Sequence, residues 1–321
     1  MEHRTLQISA AALAFALLLR LGGTWDNMPW ELGSTLLFLS TGRLVTATEP
    51  EEVTELTTET LPEEPAAADG VIPVFGRQQE TLVQVNSSWA VDTAALLQQP
   101  LHWQLKGEAP TVLILHTHAT ESYEPTGAYQ ESSPYRTLDI AYNMISIGDR
   151  VTELLEAGGI RVLHDRTHHD YPSYNSAYSN AREALKTYLT ENPSLCLVLD
   201  LHRDAREDSQ GKQKGETLEV EGTRVAKLML VMGTDKGSLS YPNWQKNLAL
   251  AVKLQAQLES AYPGLCRPVK LTAARYNQDL CPGALLVEVG AAGNSREEAM
   301  AAAELLAKGI LALANGANLQ Q

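Results

Sequence analysis

The sequence predicts an α/β fold: a mostly parallel central sheet with helices on both faces. Three observations carry this. Apolar runs rich in Val, Leu and Ile recur at 111–116, 160–164, 195–201, 226–232 and 284–289, and near-continuous apolar runs suit strands buried on both sides. Segments of helical period separate several of them, the alternation that yields a parallel sheet. Two of the runs end in histidine-bearing strings, and in such folds functional groups collect at strand ends.

The helices follow from spacing. Over 138–157, Ile140, Met144, Ile147, Val151 and Leu154 recur at intervals of 4, 3, 4 and 3 residues, one face of a helix, and Gly158-Gly159 stops it. Residues 243–261 open on Asn243 as an N-cap and align Trp244, Leu248, Ala251, Leu254 and Leu258 on one stripe. A last helix over 295–314 has Ser295 as its cap and Glu297 and Glu298 in the first turn, where the helix dipole favours acids. No internal repeat is visible.

Composition divides the 321 residues into four parts. Residues 1–45 hold a charge-free apolar stretch, 5–19, between Arg4 and Arg20. It is short of the ~20 residues that cross a bilayer unless it runs on to Gly23 with Arg20 snorkelling. We read it as a retained signal anchor, with a cleaved signal peptide as the alternative; either leaves the bulk of the chain extracytoplasmic. Residues 46–70 form an acidic linker, rich in Thr, Glu, Pro and Ala. Residues 71–110 are a lead-in segment packed on the main domain, and 111–321 are that domain. The net charge is −14, but eight of the acids lie between Arg43 and Arg77 without a basic residue among them, so the acidity belongs largely to the linker. Few basic and few aromatic residues disfavour a nucleic-acid partner. Cys196 reads as a small buried hydrophobe, and Cys266 and Cys281 are candidates for a disulfide in an exported protein.

The chemistry-bearing residues lie at the ends of the apolar runs. His116-Thr117-His118-Ala119-Thr120-Glu121 follows Val112–Leu115, and Asp200-Leu201-His202-Arg203-Asp204 follows Leu197–Leu199. In an extended strand residues i and i+2 point the same way, so both His116 and His118 could reach one site, with Glu121 behind them. His202 is a second imidazole from a different strand end. Imidazoles and a carboxylate gathered from separate strands make a usual ligand set for catalytic zinc. Asp200 or Asp204 would fix the His202 ring, and Arg203 would meet an anionic part of a substrate. Glu288 interrupts the apolar run Leu285–Val289; an acid there is paired, protonated or functional, and exclusion of water raises its pKa toward the range of a general base. His164–Tyr171, with Tyr174, Asn175 and Arg182 beyond it, and Tyr276-Asn277-Gln278-Asp279 are polar enough to line a groove.

At these residues the chain resembles the stage II sporulation protein P family of endospore-forming bacteria. The strings that carry the resemblance are LILHTHATESY, GDRVTELLEAGGI, HDRTHHDYPSYN, LVLDLHRDA, LVMG followed by NWQKN, YPGL, YNQDL and LLVEVG, in that order between about 111 and 292. The resemblance implies a fold like that of the cell-wall amidases and a zinc-dependent N-acetylmuramoyl-L-alanine amidase, with cleavage of peptide crosslinks as a second reaction. It implies His118 or His116 and His202 as zinc ligands and Glu288 as the catalytic glutamate. The related amidases carry their carboxylate ligand at the start of the helix after the first strand, where this chain has Asp139; Glu121 is our choice for that role. Arg203, Asp204, Arg182, Tyr276, Asn277 and Asp279 would bind the lactyl group and stem peptide. Stage II sporulation proteins D and M are the implied membrane partners. Two other classes compete: a catalytically silent, membrane-anchored peptidoglycan-binding protein, and another zinc hydrolase such as a carboxypeptidase or deacetylase.

Overall fold

The computed structural model describes residues 82–101 and 103–316; the anchor and the acidic linker lie outside them. Strands are β1 (Val85–Asn86), β2 (Val112–Leu115), β3 (Val162–His164), β4 (Leu197–Asp204), β5 (Thr217–Val220), β6 (Thr223–Ala226), β7 (Leu228–Met232), β8 (Val269–Leu271) and β9 (Ala284–Ala291). The α-helices are α1 (Thr93–Gln98), α2 (Met144–Ala157), α3 (Ala177–Glu191), α4 (Trp244–Ala261) and α5 (Arg296–Ala314). Seven strands form one sheet in the order β1-β8-β7-β9-β4-β2-β3, and β5-β6 is a separate hairpin. Every pairing in the large sheet is parallel except β7 with β9.

Both faces of the sheet are packed, which explains the unbroken apolar runs. On one face Val112, Ile114, Leu197, Leu199, Leu201, Leu285 and Val287 meet α2, α4 and α5 in the main core. On the other, Leu113, Leu115, Val198 and Ala284 pack against Ala181 and Leu185 of α3. Each fully buried aliphatic side chain contributes about 1.5–3 kcal/mol, so the register of β2, β4 and β9 is held firmly. A one-residue slip would carry every side chain to the opposite face.

Several elements differ from the sequence expectations for physical reasons. The helix read over 138–157 starts at Met144, because Asn143 is extended and its side chain accepts from Ile145 N, an N-cap that ends the run upstream. Leu138 and Ile140 are then 39% and 44% exposed, in a turn where Asp139 Oδ1 accepts from Ala141 N. Strand β4 continues to Asp204, so Asp200 and His202 lie within the sheet rather than after it. The two- and three-residue strands β1 and β8 and the hairpin β5-β6 are too short to show a period. Residues 82–110 supply β1 to the sheet and Leu96 and Leu97 to its core.

Near its end β9 carries a bulge. His202 and Asp204 of β4 oppose Glu288 and Ala291 of β9, two steps on one strand against three on the other. Gly290 takes the extra step at φ +74°, a left-handed conformation that disfavours any side chain. All three cysteines are free thiols, so Cys266 and Cys281 do not pair. Among the described residues no helix is long and apolar enough to cross a membrane.

Candidate active site

The parallel strands β2, β4 and β9 end at one rim of the sheet, and a cleft of about 290 Å³ lies there. His118, Glu121, His202 and Glu288 all line it. The chain leaves β2 at Leu115 and turns back so that Glu121 N donates to His118 O at 3.1 Å, which brings His118 and Glu121 over the end of β4. Registry places His202 directly beside Glu288.

The two imidazoles meet edge to face with ring centroids 5.5 Å apart. Glu121 Oε2 is 3.5 Å from His202 Nδ1 and accepts from Arg203 N at 3.2 Å. Asp200 Oδ1 is 2.9 Å from His202 Nε2, close enough for charge pairing though out of line for a hydrogen bond. Asp200 is itself fixed by Thr117, whose N and Oγ1 donate to it at 2.8 and 2.6 Å. Tyr174 stacks on His118 at 4.3 Å, and the Arg136 guanidinium covers the outer face of Tyr174 at 4.4 Å. The same Arg136 donates to Asp170 at 3.0 Å and lies 3.5 Å from Glu121.

These contacts drive the acids apart. Burial alone raises the Glu121 carboxyl, but Arg203 and His202 outweigh it and bring it down to about 2. Burial pushes Glu288 up to about 8, with Glu121 and Asp204 adding to the rise while His202 opposes it. Glu288 is only half-buried as a residue, yet its Oε2 is fully shielded and has no hydrogen-bond partner. Burial disfavours the charged form of His202, but Asp200 and Glu121 raise it well above its ordinary value. Burial lowers His118. One carboxylate held ionised beside another held protonated is the pattern of divided acid–base roles.

The structure separates other residues from this cleft. The strand alternation that would have aligned His116 with His118 ends at Leu115, and His116 turns to the α2 side of the sheet. There its Nδ1 bonds Leu201 O at 3.0 Å and its Nε2 meets His164 Nε2 at 2.9 Å, so it does not join the other candidate ligands. Arg203 lines the cleft, but its guanidinium is committed to the carbonyls of Ser122 and Tyr135 and to Glu121. Asp204 pairs with Arg267 at 2.6 Å. Arg182 grips Asp279 through two bonds of 2.9 and 2.8 Å and also reaches Asn277; these three tie a loop to α3 and do not line the cleft. Tyr276 does line it. His169 pairs with Asp165 and His168 with Asn143. Arg136, Tyr178 and Lys270 were not singled out from sequence. Arg136 lies in an aperiodic loop, and no spacing signals it.

Two imidazoles and a carboxylate facing one cleft are the donor types that zinc takes, and His118 Nδ1 is buried without a hydrogen-bond partner. The donor set thus fits zinc in its chemistry, but as placed no three His, Cys, Asp or Glu side chains among the described residues close around a common point.

Fold and cleft together define an α/β domain with paired imidazoles and acids at the carboxyl edge of parallel strands. A profile of the family Stage II sporulation protein P matches residues 46–311, and the chain belongs to that family. Stage II sporulation protein P of Bacillus subtilis strain 168 is 31% identical over 217 residues, 64% of this chain and 51% of the relative. The chain thus spans about half the length of the curated relative it matches. Among solved structures, the CwlD amidase of Clostridioides difficile in complex with the GerS lipoprotein is 18% identical, with a TM-score of 0.40 over 62% of this chain and 96% of that one. The N-acetylmuramoyl-L-alanine amidase AmiC2 of Nostoc punctiforme is 14% identical, with a TM-score of 0.39 over 64% and 98%.

Proposed function

We propose that this chain is a peptidoglycan hydrolase of sporulation, a zinc-dependent N-acetylmuramoyl-L-alanine amidase that frees the stem peptide from the glycan. The observation that carries the reading is the convergence of His118, Glu121, His202 and Glu288 on one cleft at the carboxyl edge of the sheet. Family membership supports it. In this reading His118, Glu121 and His202 hold the metal and His116 does not. Zinc, when bound, polarises a carbonyl and activates water.

The remaining work falls to the chain. Glu288 acts through its ionised fraction, taking a proton from the attacking water and returning it to the leaving amine. With a pKa raised to about 8, that fraction is the minority at neutral pH and grows as pH rises. Asp200 fixes the His202 ring, and Arg136 with Tyr174 holds His118 and Glu121 in place. Tyr276 forms a wall of the cleft. An anchor at 5–19 with the 46–70 linker would tether the domain outside the cytoplasm, and cleavage of crosslinks and assembly with stage II sporulation proteins D and M belong to the same reading.

The test is digestion of purified murein sacculi by the protein, with and without a chelator. Mass spectrometry should find stem peptides beginning with a free L-alanine amine, lost on chelation and restored by zinc. Products lacking only a terminal residue would point to a carboxypeptidase, loss of acetyl groups to a deacetylase, and intact sacculi to a binding protein.

A further inference from the structure

We infer that Lys270 forms a carboxylate-binding subsite of this cleft and recognises a free acid on the stem peptide, two to three residues beyond the scissile amide. The inference rests on the hydrolase reading and deepens it. Three lysine or arginine residues line the cleft: Arg136, Arg203 and Lys270. Arg136 is committed to Asp170 and Glu121, and Arg203 to Glu121 and two carbonyls. Among the described residues, Lys270 is the cation of this cleft whose side chain makes no ion pair or hydrogen bond, and it is exposed.

Its position follows from the register. Val269 and Leu271 turn into the main core, so the alternation of β8 sends Lys270 to the opposite face, the one that carries Glu288. Lys270 is paired with Val231 of β7, and Val231 with Leu286 of β9, two residues before Glu288. Leu286 and Val231 are buried and pack with Tyr276 as a small apolar floor. The row reads acid, apolar floor, cation across three neighbouring strands. Strands lie ~4.8 Å apart and Glu288 is two residues along β9 from Leu286, so the Lys270 backbone lies roughly 12 Å from that of Glu288, a span that the lysine side chain shortens. An extended peptide covers roughly 7–10 Å in two to three residues. A chain held with its scissile amide at Glu288 and lying across Leu286 and Val231 brings an acidic side group there to the ammonium.

An exposed lysine on a strand often serves to block edge-to-edge pairing. That role does not explain this one, because β8 lies inside the sheet between β7 and β1. A free-carboxylate stem peptide is also the fitting partner on charge, since the other charged groups facing it from the catalytic end are acids or already paired cations.

Two probes test the subsite: a synthetic N-acetylmuramoyl tripeptide with free carboxylates, and the same tripeptide with those groups as carboxamides. Calorimetric Kd values on the full chain carrying Glu288→Gln keep the probes intact. The free acid should bind about tenfold more tightly, the scale of one partly exposed charge-assisted contact, and the preference should shrink as salt rises. Adding Lys270→Met should bring the two probes to within about twofold, and Lys270→Arg should keep the preference. In otherwise wild-type protein Lys270→Met should raise KM for the free-acid substrate and leave kcat nearly unchanged. Equal binding of both probes, or a preference that survives Lys270→Met, overturns the subsite while leaving the hydrolase reading standing. Wild-type protein that releases no stem peptide overturns the hydrolase reading and the subsite with it.

Discussion

His202 and Glu288 are registry partners on the adjacent parallel strands β4 and β9, so their side chains rise side by side from one face of the sheet. The bulge at Gly290 begins just after this pair. The last regular step of the β4–β9 ladder is thus the one that sets an imidazole beside an acid. Sheet geometry, rather than a mobile loop, fixes their separation, and the site inherits the stiffness of the core beneath it.

Glu288→Gln tests the proton-transfer role assigned to that acid. Gln keeps the shape but cannot accept and return a proton, so stem-peptide release should fall by about 10²–10⁴. The carboxyl is already held in its neutral form by burial, with a pKa of about 8. A neutral amide in its place should therefore leave the urea unfolding midpoint unchanged within error. A parallel loss of stability and activity would mean the acid is structural.

Glu121→Gln should behave in the opposite way. Glu121 faces Arg203, Arg136 and His202 at once and accepts from the Arg203 backbone. Removing its charge leaves a buried guanidinium without its counter-ion, which costs about 3–5 kcal/mol, read as a lower urea midpoint in metal-free protein. Because the folded pKa is depressed to about 2, this stabilisation is fully present above the ordinary carboxylate range. It is lost as pH falls from about 4.5 towards 2. The midpoint difference between wild type and variant should narrow over that window.

The sequence made the framework legible because burial on both faces leaves a strong signal. β2, β4, β7 and β9 were readable as apolar runs, and the stripes of α2, α4 and α5 as helical period. Glu288 was legible because an acid in a strand of Leu and Val has few bland explanations. His116 misled because the i, i+2 rule holds only while the strand lasts, and β2 stops at Leu115. Arg203 and Arg182 misled because sequence cannot show that a guanidinium is already satisfied by carbonyls or by Asp279. Arg136 and Lys270 were invisible for complementary reasons: one lies in an aperiodic loop, the other in a three-residue strand too short to show alternation.

Gly148 on α2 sits against the His116–His164 pair. A methyl group there would meet His164 Nε2 at 2.5 Å and His116 Nε2 at 2.6 Å. Gly148→Ala gains about 1 kcal/mol of helix propensity but must part the two rings or shift the helix, at about 1–3 kcal/mol, and loses their hydrogen bond, about 1 kcal/mol. The balance should be destabilising by about 1–3 kcal/mol in urea unfolding. In a His164→Ala background one of the two clashes is gone and only that with His116 remains, so the same Gly148→Ala change should become clearly less destabilising. Destabilisation of equal size in both backgrounds would show that His164 is not what the glycine accommodates.

Lys253 of α4 is fully buried and its Nζ donates to Leu97 O at the end of α1. Burial lowers its pKa from 10.5 to about 8. The unfolded chain therefore holds its proton between about pH 8 and 10.5 while the folded chain has released it, so in that window the folded state gains stability as pH rises. Lys253→Met keeps an unbranched side chain of similar length and removes the titration, at the cost of one hydrogen bond to Leu97. Comparing the two proteins cancels every other titrating group. The urea stability of wild type relative to the variant should rise by roughly 1–2 kcal/mol between pH 7.5 and 9.5. A difference that stays flat over those two pH units would mean the buried ammonium keeps its proton, and that the contact with Leu97 O is a charged one throughout.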